Sequence, residues 1–284
     1  MRRAHDDRSR IGRGGVGDYL SDHLSHRFGS TRAGLIELVA SVARLSLECI
    51  GNSDALYHNV EHTMLVALVG CDIMRGRQLL RSTSIDDYAH LLVACLLHDI
   101  GYVRGILRGD GEDGYIVDAK GGKATLSRGA SDAALTPHHV ERSKLFALER
   151  LADVSLLDAS RIARAIEFTR FPAPIVSDGQ EDEECSLVRA ADLIGQLGDP
   201  HYLRKANALY YEFEEVGMNK QLGYASPADL TDLYPQFYYN IVSPHIQTAV
   251  RYLNVTSSGR QWIASLYSNV FRAERDLSLS GPER

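Results

Sequence analysis

From about residue 18 to residue 275, apolar positions recur every three or four residues. They do so in long segments such as "AGLIELVASVARLSLECI", "VEHTMLVALVGCDIMRGRQLL", "SIDDYAHLLVACLLHDIG", "HHVERSKLFALERLAD" and "LDASRIARAIEFTRF". This period lays one apolar stripe along each of a series of helices. Boundary signals agree: Ser84 with Asp87 makes a capping-box-like start and Gly101 closes the same segment, while Pro137 suits a first turn and Pro172 lies just after the fifth segment. Further helical segments come after Ala206, among them "LYYEFEEV", "LYPQFYYNIVSPHIQTAVRYL" and "RQWIASLYSNVFRAE", whose aromatics are read as core. Strict alternation is scarce, so the predicted class is all-α, one helical bundle over residues 18–275 with additional C-terminal helices.

Outside the bundle the pattern fades. Residues 1–17, rich in Arg, Asp and Gly, are read as a flexible arm, and residues 276–284 as a flexible tail. The arm's "GRGGVG" satisfies GxGxxG, but no strand precedes it, and a dinucleotide site is not expected. Gly105 to Thr136 forms a long Gly- and Asp-rich insertion, and the acidic run Glu181 to Glu184 is read as a solvated loop.

Within the bundle, several polar residues stand where they should cost energy. "LLVACLLHDIGY" places His98 and Asp99 at the end of an apolar run, and "SLVRAADLIGQL" places Asp192 inside another. "YHNVEHTMLV" offers His58 and His62, whose spacing of four predicts a shared helix face. An unpaired buried carboxylate costs several kcal/mol or more. Three separate segments that each turn His or Asp inward are most simply explained by a shared divalent metal.

Composition narrows the class without naming a substrate. The 284 residues are 44% hydrophobic and 24% charged, an ordinary globular balance. A net charge of −6 gives no electrostatic footprint for duplex nucleic acid. Cys49, Cys71, Cys95 and Cys185 lack CxxC spacing, which favours a reducing cytoplasm over a disulfide framework. No secretion signal is seen, and no apolar run approaches the roughly 18 to 20 residues of a membrane span. The oligomeric state is not legible.

The order His62, His98-Asp99, Asp192 on a helical chain resembles the HD-domain superfamily of metal-dependent phosphohydrolases, and "YHNVEH" resembles the YHNxxH motif of cyclic-nucleotide phosphodiesterases and their bacterial relatives. The resemblance covers about residues 57–197. It implies that His62, His98, Asp99 and Asp192 ligate a first metal, that Asp99 bridges to a second, and that His58 donates a proton to the leaving oxygen. One or two divalent ions are implied (Mn, Fe, Mg, Ni or Zn), with metal-activated water attacking a phosphodiester in a small-molecule nucleotide, cyclic nucleotides included. "TPHHVERSKLFALERL" resembles the HxxxS helix of bacterial members, which makes His139 a second-metal or phosphate candidate beside Ser143.

Two positions depart from the phosphodiesterase pattern. Tyr102 stands where those enzymes carry a further His, and their aspartate shortly after YHNxxH is missing. For the phosphate, Lys120, Lys123, Arg128 and Arg142 are candidates, and Thr169 and Arg170 resemble a helix end that closes the substrate pocket. A nucleoside monophosphate phosphatase and a non-catalytic nucleotide-binding HD module are the alternatives. A di-iron oxygenase would need His ligands from two further helices, whereas only the adjacent pair His138 and His139 lies between Asp99 and Asp192.

Overall fold

The computed structural model describes residues 13–171 and 182–280. In chain order its helices are α1 (Arg13–Phe28), α2 (Ala33–Ile50), α3 (Val60–Leu80), α4 (Ile85–Leu97), α5 (His139–Leu151), α6 (Ala159–Glu167) and α7 (Glu183–Leu197). The C-terminal set is α8 (Tyr202–Glu215), α9 (Met218–Leu222), α10 (Pro227–Asp232), α11 (Tyr234–Phe237), α12 (Ser243–Asn254) and α13 (Ser257–Ser280). Two short strands, β1 (Tyr115–Ile116) and β2 (Lys123–Ala124), pair antiparallel with Tyr115 opposite Ala124. The class is therefore all-α, as the periodicity predicts.

The helix at the centre is α4. Its residues from Tyr88 to Leu97 are all buried, which marks a helix surrounded on every side. Its start is fixed by a true capping box, in which Ser84 accepts from the Asp87 N–H and the Asp87 carboxylate accepts from the Ser84 N–H. Helices α2, α3, α6 and α7 pack around it, and α3 lies in turn against α7 and α12. The chain leaving the C-terminal end of α4 therefore emerges deep in the protein, and its first two residues there are His98 and Asp99.

Two glycines let backbones approach closely around that point. A Cβ on Gly195 of α7 would meet Val66 of α3 at 2.9 Å, so Gly195 brings α7 against the helix that carries His62. A Cβ on Gly101 would meet the His139 carbonyl at 2.0 Å, and the Gly101 N–H donates to Ser143 Oγ at 2.9 Å. The Ser143 hydroxyl of the HxxxS pattern thus holds backbone beside the HD turn. The C-terminal aromatics divide: Tyr210, Tyr234, Tyr238, Tyr252 and Trp262 are core, with Trp262 fully buried and donating to Asp72 Oδ2 at 2.9 Å, whereas Tyr211, Tyr239, Tyr267 and Phe271 are exposed, so the expectation of a core role for all of them is corrected.

Three further expectations are corrected. Residues 13–17 belong to α1, with Val16, Leu20 and Leu24 buried four residues apart, and low-propensity glycines mask that stripe in the sequence. At the other end, α13 continues to Ser280, past the boundary placed at residue 276. The HD segment stops helically at Leu97, with a short 3-10 turn over Ile100–Tyr102 rather than a helix running to Gly101. Of the remaining features, Gly12, Pro172 and Glu181 lie outside the described residues, whereas Glu183 and Glu184 of the acidic run pair with Arg77, Arg81 and Arg161. No described helix is long and apolar enough to cross a membrane.

Candidate metal centre

The four predicted first-metal residues converge. Asn59 caps α3, its side-chain oxygen accepting from the backbone of Glu61 at 2.9 Å and His62 at 3.3 Å, which fixes His62 in the first turn. His58 therefore lies before the helix, and the expectation that it shares a helical face with His62 is corrected: an extended Asn59 separates them. Their rings meet edge to face all the same, with centroids 5.6 Å apart. His98 and Asp99 sit in the turn after α4, and Asp192 projects from the middle of α7.

His62 Nε2 lies 3.3 Å from His98 Nε2, 3.3 Å from Asp99 Oδ2 and 3.3 Å from Asp192 Oδ1. His98 Nε2 lies 3.1 Å from Asp99 Oδ2 and 3.5 Å from Asp192 Oδ1. Donors sharing one cation at roughly 2.0–2.2 Å in tetrahedral array stand roughly 3.3–3.6 Å apart; the donor atoms of His62, His98 and Asp99 form a mutually close group that suits a common ion, and Asp192 Oδ1 adjoins both of its imidazoles. The tautomer is also set: His98 Nδ1–H donates to the Cys95 carbonyl at 2.8 Å, leaving the Nε2 lone pair aimed inward.

Electrostatics points the same way. His62, His98 and Asp99 are all at most 5% exposed, and Asp99 Oδ2 has no hydrogen-bond partner. Burial opposes charge on Asp99, yet the adjoining His98 and His62 hold its carboxyl well below the ordinary range. Burial likewise opposes charge on His98, and Asp99 and Asp192 outweigh it and raise its pKa. A buried Asp99 and a partly buried Asp192 facing two imidazoles call for positive charge, and a divalent cation would supply it without a proton on either Nε2. The residues fit such an ion.

His139 stands beside this set, on the other oxygen of Asp99. Its Nε2 is 3.7 Å from Asp99 Oδ1, and its Nδ1–H donates to the Thr136 carbonyl at 2.6 Å. Burial lowers its pKa despite the nearby Asp99 carboxylate, so the ring presents a free nitrogen near neutrality. The two Asp99 oxygens thus face different partners, Oδ2 towards His62 and His98 and Oδ1 towards His139. His138, the cap residue of α5, takes no part in this convergence.

His58 occupies a different environment. Its Nδ1 meets Glu212 Oε2 at 2.5 Å, and Glu212 Oε1 also accepts from the backbone N–H groups of Tyr57 at 2.6 Å and His58 at 3.2 Å. Burial alone would lower the His58 pKa, but the Glu212 carboxylate reverses this and raises it to about 9. Glu212, on α8 and 1% exposed, escapes the sequence reading. The available signal is a carboxylate three residues after the buried Leu209, on an otherwise apolar helix face.

The four predicted substrate contacts each have a partner within the protein. Arg142 is fully buried and spends its guanidinium on Asp110 and on the carbonyls of Gly101, Val103 and Ile116. Lys123 pairs with Asp113 across the β-hairpin at 2.8 Å. Thr169 Oγ1 donates to the Ile166 carbonyl, ending α6, and Arg170 pairs with Glu167 and Glu141. Each supports local structure, and Lys120 and Arg128 are exposed on the same insertion as Lys123.

Among curated proteins none matches the chain. The model of the Npun_R2479-like family matches residues 16–276, a span that takes in every helix after the first turn of α1 and every residue of the cluster, and the chain belongs to that family.

Proposed function

We propose that the protein is a metal-dependent phosphohydrolase of HD type, acting on a phosphodiester in a nucleotide, with His58 as the proton donor. The carrying observation is the division of the histidines: His62 and His98 turn Nε2 to two carboxylates, while His58 is held by Glu212. A divalent cation held by His62, His98, Asp99 and Asp192 would neutralise phosphoryl charge and activate a water. Asp99 and His139 are placed to hold a second one.

The chain's own groups supply the rest. Glu212 orients the His58 ring and stabilises its imidazolium, leaving the Nε2 proton for a departing alkoxide, which is a poor leaving group unless protonated. Asp192 and His139 are the most accessible residues of the site, each with a side chain 18% exposed against 1–5% for His62, His98 and Asp99. Next to Asp192 on α7, Leu193 and Gln196 line a cavity of about 290 Å³ walled by Tyr202, Phe213, Tyr234 and Phe237. An apolar aromatic pocket with one amide suits a planar base.

The pH dependence tests this reading. Hydrolysis of a diester should hold through neutrality and fall as pH rises through about 9, where His58 loses its proton. Removing the partner charge with Glu212→Gln should move that fall to lower pH. Equal hydrolysis of monoester and diester, with an unmoved profile in Glu212→Gln, would instead support a monophosphatase.

A further inference from the structure

The geometry points to Tyr102 as a positioning residue that fixes two catalytic-site histidines at once, by packing its ring nearly parallel against both. This rests on the reading of His58 as proton donor. Tyr102 faces His58 with ring centroids 4.6 Å apart and planes within 14°, and faces His139 at 4.5 Å and 19°. The two histidine centroids are 6.3 Å apart, and Tyr102 is 1% exposed.

Each of the two histidine rings has one hydrogen-bond tether, and His58 also meets Tyr57 and His62 edge to face. The Glu212 carboxylate holds His58 at Nδ1, and the Thr136 carbonyl holds His139 at Nδ1. A hydrogen bond at one atom leaves the ring free to swing about that atom, which carries Nε2 through an arc. Near-parallel contact with a flat ring restricts that freedom, and Tyr102 supplies such a contact to each histidine. Tyr102 is itself buried, and its backbone is held in the 3-10 turn, where its N–H donates to the Asp99 carbonyl at 3.1 Å. The residue that orients Asp99's neighbours is thus three positions from Asp99 itself.

The test compares Tyr102→Phe, which keeps the face, with Tyr102→Leu, which removes it. In Tyr102→Leu, kcat should fall about 10- to 100-fold while KM and bound metal stay within about twofold of wild type, since misplacement of a reacting group slows chemistry without weakening binding. Tyr102→Phe should recover kcat to within about threefold. A second readout needs no turnover: in the zinc-loaded protein, the ring-proton resonances of His58 and His139 should lose their upfield ring-current shift in Tyr102→Leu and keep it in Tyr102→Phe. Wild-type kcat with unmoved resonances in Tyr102→Leu overturns the assignment, as does a Tyr102→Phe variant that folds and loses more than about tenfold in kcat. If wild type hydrolyses no phosphoester, the functional reading fails, and the resonances still decide whether Tyr102 positions both rings.

Discussion

Replacing His58 with alanine is expected to lower diester hydrolysis about 10²–10⁴-fold while the bound metal stays at the wild-type level. The magnitude reflects the loss of one general acid. The selectivity comes from the geometry, since His58 Nδ1 is spent on Glu212 and the ring contributes no nitrogen to the four convergent donors. The Glu212 carboxylate raises the His58 pKa to about 9, which keeps the ring charged at neutrality and suits it to protonate an alkoxide. An aryl diester, whose leaving group needs little protonation, should lose far less rate than an alkyl one. Steady-state rates on the two esters, with metal content measured on the same samples, check this. Loss of metal in His58→Ala would make it a ligand instead.

Arg142→Met is expected to destabilise the fold by about 3–5 kcal/mol, the usual cost of leaving one partner of a buried ion pair alone. The Arg142 and Asp110 side chains are both fully buried, and two nitrogens of the guanidinium reach the carboxylate at 2.9 and 3.1 Å. Three backbone carbonyls would lose their donor as well. Because these belong to Gly101, Val103 and Ile116, the change should also release the backbone from the HD turn to the β-hairpin. Urea unfolding would report the first effect, and faster amide exchange over residues 101–116 the second. Burial pushes the Asp110 pKa up, but its Arg142 hydrogen bonds prevail and lower it, so this pair stabilises at neutral pH and weakens as pH falls into the carboxylate range. A change under about 1 kcal/mol would contradict the role given to Arg142 in holding the insertion.

Legibility in the sequence tracks burial and proximity along the chain. Helix α4 and the cluster are readable because polar residues in an apolar period carry an energetic cost that needs an explanation, and His62, His98, Asp99 and Asp192 each stand in such a period. Arg142 misleads because a charged residue on an amphipathic helix looks alike whether it faces solvent or a buried Asp110 thirty-two positions away. Glu212 stays hidden for a related reason: its partner His58 is 154 positions distant, and no local pattern links them. Tyr102 registers only as a departure, since stacking on rings from two other segments is a tertiary fact. The N-terminal helix shows the converse, where glycines and arginines conceal a sound apolar stripe at Val16, Leu20 and Leu24.

Whether His62, His98, Asp99 and Asp192 form one metal site is tested most directly by the metal content of the purified full-length protein, measured beside Asp99→Asn and His58→Ala after equal dialysis. At least one transition-metal or magnesium ion per chain is expected in wild type, with the same content in His58→Ala and at least tenfold weaker retention in Asp99→Asn. A wild type that takes up no divalent ion, or an Asp99→Asn variant that holds metal as tightly as wild type, would contradict the shared site.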